Sequence, residues 1–125
     1  MKRIISTPNA PKAIATYSQA VEANGFLFIA GQIPIVPSTG KLSDGGIKEQ
    51  TEQVLKNIGE ILKAAGYDFK DVVKTTCLLS NMSNYAEMNE VYGKVFSENA
   101  PARAAFAAAG LPMGVMVEIE TIAAK

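Results

Sequence analysis

The sequence contains no histidine and only one cysteine, Cys77, and these two shortages exclude several kinds of catalytic site. Without histidine there can be no Ser-His-Asp triad, no Cys-His pair and no His-ligated metal. A single cysteine excludes an internal disulfide, which favours a reducing, cytoplasmic location. Acid–base chemistry must then use carboxylates, lysine, tyrosine, the thiol or bound water, and we expect neither a metal nor a cofactor.

The chain also lacks an excess charge of either sign and a long apolar run. Twelve basic and twelve acidic residues cancel, so the composition does not indicate a basic face for nucleic acid. The N-terminal segment MKRIISTPNAP has no apolar stretch after its basic residues, which argues against a signal peptide. No run of about 18 apolar residues exists to cross a membrane. We therefore expect neither nucleic acid nor a membrane as a partner of this protein.

What is present is the composition of one globular domain spanning residues 1–125, with 48% hydrophobic and 19% charged residues. The Asn24-Gly25 pair predicts a tight hairpin, because both central residues of a type I′ turn need positive φ. Gly31 to Gly46 is rich in glycine and proline and predicts a long loop. The predicted strands are Arg3–Ser6, Tyr17–Ala23, Phe26–Ala30, Asp71–Leu79, Ala102–Ala108 and Val115–Ala124.

Two helices are predicted from apolar residues at helical spacing. The first runs from Ile47 to Ala65 and ends at Gly66, where a left-handed glycine is expected. Asn84, with Glu87 three residues later, resembles a capping box that opens the second. The stripe of the first helix is Ile47, Thr51, Val54, Leu55, Ile58, Ile61, Leu62 and Ala65, and that of the second is Tyr85, Met88, Tyr92, Val95 and Phe96.

The element order predicts an α+β fold, with a mixed sheet and both helices on one face. The other face of the sheet is then left uncovered, although the last strands are apolar and rich in alanine. Apolar surface of that extent is unfavourable in water. We therefore expect this face to be buried against other copies of the chain.

Arg103 is the most informative charged residue, because residues 99 to 117 contain no other charged side chain. A guanidinium in the run ARAAFAAAG needs a partner, since burying an unpaired charge is costly. Its planar fork suits bidentate binding of a carboxylate. The pattern leaves two interpretations open: a structural salt bridge, to Glu118 or to another subunit, or a clamp for an anionic ligand.

Glu118 and Glu120 lie two residues apart in the apolar final strand, so alternation places both on one face. A glutamate there can hold a water or move a proton, or both can be ordinary solvated residues. Tyr17 and Asn89 are further polar candidates for a ligand site. The alternative role is core packing for Tyr17 and capping of a nearby loop for Asn89. Gly31 either brings backbone close to a ligand or forms a turn.

Cys77, in the centre of the strand VVKTTCLLS, is interpreted as an inert buried residue rather than a reactive thiol.

Taken together, the sequence resembles the RidA family, also called YjgF or L-PSP, over its whole length. The segments that carry the resemblance are Asn9-Ala10-Pro11, Tyr17-Ser18-Gln19, Ala30-Gly31-Gln32-Ile33-Pro34, Gln50-Thr51 through Asn57, Val73-Lys74-Thr75-Thr76, Met88-Asn89-Glu90-Val91-Tyr92, Pro101-Ala102-Arg103, Leu111-Pro112 and Val117-Glu118-Ile119-Glu120.

The resemblance implies a chorismate-mutase-like fold and a homotrimer with a barrel-like core and clefts between subunits. It implies hydrolysis of reactive imines and enamines of the 2-iminobutanoate and 2-iminopropanoate class to a 2-keto acid and ammonia. In that family an arginine holds the substrate carboxylate and a glutamate positions the water, which map onto Arg103 and Glu118. Tyr17, Gly31 and Asn89 map onto the remaining cleft positions.

Four departures from the family pattern lie near that cleft. Ala15-Thr16, Ala30, Ala105 and Ala107 stand where the family commonly has Gly-Pro, serine, cysteine and a Glu or Gln. Ala105 is therefore a substrate-binding position with a smaller side chain. A second hypothesis keeps the same Arg103 in a non-catalytic or regulatory trimer that binds a small carboxylate. An endoribonuclease, the third, is disfavoured by the zero net charge and the lack of histidine.

Overall fold

A computed structural model describes residues 1–125 and places eight strands and two α-helices along the chain. Neither helix has the length and apolar character needed to cross a membrane. The helices are α1 (Ile47–Ala65) and α2 (Tyr85–Val95). The strands are β1 (Arg3–Ile5), β2 (Ala20–Ala23), β3 (Phe26–Gln32), β4 (Ile35–Val36), β5 (Lys41–Leu42), β6 (Val72–Leu79), β7 (Ala102–Ala107) and β8 (Val117–Ala124).

Six of the strands form one mixed sheet in the order β1-β2-β3-β8-β6-β7. Only β6 and β7 pair in parallel, and α2 lies in the connection between them. Parallel neighbours need such a crossover, whereas the antiparallel pair β2–β3 can be joined by a tight turn. That turn has φ of 52° at Asn24 and 79° at Gly25, which confirms the predicted hairpin.

Both helices pack on the sheet around one cluster of 23 buried hydrophobic residues, which confirms the predicted α+β fold. All eight residues of the predicted stripe of α1 are buried. On the sheet, Val117, Ile119, Thr121 and Ala123 of β8 point into this core while the residues between them do not. Gly66 ends α1 with φ of 84°, as the sequence predicts.

The opposite face of the sheet carries large apolar side chains that no element of the chain covers. Phe28 pairs with Ile122 of β8 and so lies on the face opposite Thr121. Ile4, Phe26, Phe28 and Phe106 remain 45–53% exposed. The predicted uncovered apolar face is therefore present in the single chain.

Two segments differ from the sequence prediction, one with less strand than expected and one with more. Residues 17–19 were expected in a strand, but β2 begins at Ala20. The Gln19 amide instead bonds both the N–H and the carbonyl of Thr7, at 2.7 and 3.0 Å. The predicted loop from residue 31 to 46 contains the small β4–β5 hairpin, and β3 extends through Gly31 to Gln32.

The predicted capping box at Asn84 is wrong. Asn84 has helical backbone angles, and its side chain makes no capping hydrogen bond. A 3-10 turn over residues 82–84 precedes α2, and the Asn81 side chain accepts from the Ser83 N–H at 2.8 Å to open that turn. The chain is therefore already turning before α2 begins, so the cap signal lies three residues earlier than expected.

Candidate functional site

Arg103 lies on edge strand β7 and is held by side chains from one face of α2. Tyr85, Asn89 and Tyr92 are spaced four and three residues apart, so they lie together on that face. Arg103 Nη2 donates to the Tyr85 hydroxyl at 2.6 Å and Nη1 donates to Asn89 Oδ1 at 2.7 Å. We call Arg103 with these three residues the arginine site.

The guanidinium of Arg103 also lies over the aromatic ring of Tyr92. Its Cζ atom is 4.7 Å from the Tyr92 centroid and 5.4 Å from that of Tyr85. Tyr92 is buried, and its ring is held in place by a hydrogen bond between its hydroxyl and Thr75 Oγ1 at 2.7 Å. Burial raises the pKa of Tyr92, so this hydroxyl stays neutral under the cation.

No carboxylate of the chain pairs with Arg103. The two salt bridges present, Arg3–Glu22 and Lys48–Glu90, lie elsewhere. All three partners of Arg103 are neutral, so its positive charge remains uncompensated within the chain. The interpretation of Arg103 as a structural salt bridge to Glu118 of the same chain is therefore wrong. Asn89 binds the arginine rather than capping a loop.

Glu118 projects from β8 on the face opposite the core, and it closely approaches Gly31. A Cβ atom built at Gly31 would overlap the Glu118 carboxylate, so glycine is required for this approach. Gly31 lies within β3, where the register of β3 against β8 shifts between Ile29 and Gln32, so it does not open a loop. Burial first, and then the nearby charge of Glu120, raise the pKa of Glu118.

A cleft of about 320 Å³ opens beside Glu118. Tyr17 lines it and is 51% exposed, so core packing is not the role of this tyrosine. The apolar walls of the cleft come from Pro11, Ile14, Ala30, Ile33, Ile35, Pro112 and Met113. We call Glu118 with Tyr17, Gly31 and these walls the glutamate cleft.

The arginine site and the glutamate cleft lie on opposite faces of the sheet. Cys77 of β6 pairs with Ala105 of β7 on one side and with Ile119 of β8 on the other. Arg103 and Ala105 share the face of Ile119, so Glu118 points the other way. One chain therefore brings Arg103, Asn89 and Ala105 together, and separately Tyr17, Gly31 and Glu118.

Cys77 is fully buried, and burial raises the pKa of its thiol to about 11. A thiol that stays protonated is a poor nucleophile, which confirms the interpretation of Cys77 as an inert core residue. Ala105 pairs beside it and is half-buried.

Sequence reasoning missed the roles of Tyr85 and Tyr92, which it assigned only to an apolar stripe. The signal was the polar Asn89 between two tyrosines at helical spacing, opposite a strand with a lone arginine. Asn57 was also missed. It is buried on α1, and its amide donates to the carbonyls of Ile33 and Ile35 at 3.3 and 3.0 Å, so it fixes a wall of the glutamate cleft.

Comparison with known proteins gives concordant matches along the chain. The family model described as endoribonuclease L-PSP matches residues 7–125. A RutC family protein of Pyrococcus horikoshii is 56% identical over 100% of this chain and 99% of its own length. The 2-iminobutanoate/2-iminopropanoate deaminase of Homo sapiens is 51% identical over 98% of this chain and 90% of its own.

Solved structures agree with these sequence matches. RidA from the Antarctic bacterium Psychrobacter sp. superposes with a TM-score of 0.95 at 45% identity, covering 98% of this chain and 99% of that one. E. coli TdcF with bound serine superposes with a TM-score of 0.94 at 36% identity, covering 98% of each chain. By sequence and by fold, this chain belongs to the endoribonuclease L-PSP family, the RidA/YjgF family.

Proposed function

We propose that this protein is a hydrolytic deaminase of small imines and enamines of the 2-iminobutanoate and 2-iminopropanoate class. The observation that carries the proposal is the uncompensated Arg103, held by neutral partners at 2.6 and 2.7 Å. A guanidinium arranged in this way is prepared for an external carboxylate. The deaminase names of the human and mouse relatives support the same reaction. The serine bound by E. coli TdcF supports a ligand with the carboxylate of an amino acid.

The proposed active form is a homotrimer in which each cleft joins two copies of the chain. The exposed Phe26, Phe28 and Phe106 support burial of the uncovered sheet face against neighbouring copies. Arg103 and Glu118 point away from each other within one chain. A complete site therefore takes the arginine site from one subunit and the glutamate cleft from the next, and Ala105 and Asn89 enter it beside Arg103.

The reaction needs orientation, a water molecule and proton transfer, because an iminium carbon is already electrophilic. Arg103 holds the substrate carboxylate, and Glu118 accepts a proton from the attacking water. Water adds its oxygen to the imine carbon, and the nitrogen takes up protons. The carbon–nitrogen bond then breaks, releasing ammonia and leaving a 2-keto acid. The raised pKa of Glu118 suits a carboxyl group that takes and returns a proton.

A trapping assay tests this function. A threonine dehydratase generates 2-iminobutanoate, semicarbazide traps the imine, and the protein is expected to reduce trapping at micromolar concentration. Arg103→Ala is expected to abolish that effect. Binding of 2-oxobutanoate without any reduction of trapping would instead support a non-catalytic or regulatory trimer that binds small carboxylates.

A cytoplasmic location remains a prediction.

A further inference from the structure

We propose that Tyr85 is a positioning residue, whose hydroxyl fixes the Arg103 guanidinium in the orientation that receives the ligand carboxylate. This inference rests on the proposed role of Arg103 as an anion-binding residue, and adds a residue that the family resemblance does not assign. The bond from Arg103 Nη2 to the Tyr85 hydroxyl is 2.6 Å long.

The three contacts of the arginine site restrain different parts of the guanidinium. Asn89 holds Nη1, and the ring of Tyr92 supports one face of the plane. Neither contact holds Nη2, the second terminal nitrogen of the fork. The Tyr85 hydroxyl holds it, so both terminal nitrogens are anchored, and bidentate carboxylate binding depends on the orientation of both.

Neutral acceptors have a further consequence for anion binding. A guanidinium has five N–H bonds. Asn89 and Tyr85 take one each, so three remain for a ligand. A carboxylate in place of either partner would restrain Arg103 equally well, but it would compete with the ligand for the positive charge. Tyr85 and Asn89 thus order the cation without neutralising it.

Tyr85→Phe removes the hydroxyl and keeps the ring. We expect about tenfold weaker binding of 2-oxobutanoate by calorimetry, since hydrogen bonds to charged groups are among the stronger ones. KM for the imine should rise by a similar factor while kcat is unchanged, because the carboxylate is held alike in the ground and transition states. Tyr67→Phe is the matched control, because it removes a hydroxyl that bonds Glu22 at 2.7 Å, away from both halves of the site.

Nitrogen NMR gives a readout that a loss of stability would not produce. The chain has two arginines, Arg3 and Arg103, so Arg103→Lys assigns both guanidinium signals. Tyr85→Phe should speed rotation about the Cζ–Nη bonds of Arg103. Arg3, whose Nε donates to Glu22 at 2.9 Å, should be unaffected and serves as an internal control.

Coupling to Arg103 distinguishes positioning from direct ligand contact. In the Arg103→Lys background, which has no fork to orient, Tyr85→Phe should have no further effect on 2-oxobutanoate binding. An equal loss in both backgrounds would overturn the proposal, as would unchanged binding and unchanged Arg103 dynamics in Tyr85→Phe.

A failure of the proposed deaminase function would give a different result from a failure of the role proposed for Tyr85. Wild-type protein that binds 2-oxobutanoate but does not reduce semicarbazide trapping would refute the deaminase. The role of Tyr85 would still be supported if Tyr85→Phe weakened that binding. A wild-type protein that neither binds nor deaminates would overturn both.

Discussion

Arg103 and Glu118 of one chain point to opposite faces of the same sheet, although β7 and β8 both pair with β6. The strand register at Cys77 shows this, because Cys77 pairs with Ala105 on one side and with Ile119 on the other. Ala105 is two residues from Arg103, and Ile119 is adjacent to Glu118. The two halves of the proposed site are therefore incomplete in an isolated chain.

Subunit mixing tests whether a cleft joins two copies. Arg103→Ala and Glu118→Gln should each be inactive alone. When the two are unfolded, mixed equally and refolded together, about a quarter of the clefts should combine an intact Arg103 with an intact Glu118 under random assembly. Activity in the trapping assay should recover to about that fraction of wild type.

Refolding each variant by itself is the control for that experiment. Mixed material that stays as inactive as the separate variants would show that each cleft takes both residues from one chain.

Gly31→Ala should displace the Glu118 carboxylate, because the added methyl group overlaps it. We expect kcat/KM to fall by about a hundredfold, as misplacement of a catalytic group by about 1 Å can do. Stability should change little, since the atom displaced is the end of a flexible side chain. Gly93→Ala is the matched control, because nothing lies within 4 Å of its added Cβ. Equal activity of the two variants would contradict this role for Gly31.

The pH dependence of deamination should report the raised pKa of Glu118. Burial and the charge of Glu120 both favour the protonated carboxyl, so the base form is lost as pH falls through a value above that of an ordinary glutamate. Glu120→Gln removes the repulsion and should move the acid limb of kcat/KM to lower pH. Glu52→Gln, on exposed helix surface, should leave the limb in place. A shift to higher pH in Glu120→Gln would contradict the assignment.

The uncovered sheet face should control assembly. Phe106→Asp introduces a charge on that face, where burial between subunits would make it costly. We expect light scattering to report smaller species for this variant than for wild type at micromolar concentration. Met82→Asp is the control, because Met82 is 48% exposed in the turn before α2 and should leave assembly unchanged. A wild-type protein that is already monomeric would refute the homotrimer.

Asn57→Ala should destabilise the wall of the glutamate cleft. The substitution leaves the carbonyls of Ile33 and Ile35 without their side-chain donor. The free energy of unfolding should fall by about 1–3 kcal/mol, and amide exchange over residues 33–36 should accelerate. Lys56→Ala, exposed on the same helix, should change stability by no more than about 0.5 kcal/mol. Unaltered exchange in Asn57→Ala would show that the wall is held by other contacts.

Local features of the fold were predictable because their causes lie within a few residues. The stripe of α1, the left-handed Gly66 and the Asn24-Gly25 turn depend on side-chain spacing and on φ. The start of β2 was not predictable in this way, because Gln19 bonds residues of the N-terminal loop that are distant in sequence. The same holds for Asn57, whose partners lie 22 and 24 residues away.

The sequence by itself determined which chemistry is available: a lone arginine in an apolar strand, two glutamates on one strand face and an inert buried cysteine. These follow from residue type and strand alternation. Only the tertiary structure decided the partners of Arg103, because a helix and a strand that are separate in sequence must pack to bring Tyr85, Asn89 and Tyr92 beneath it. The tertiary structure also decided that Arg103 and Glu118 point apart, because register across β6 assigns each side chain to a face.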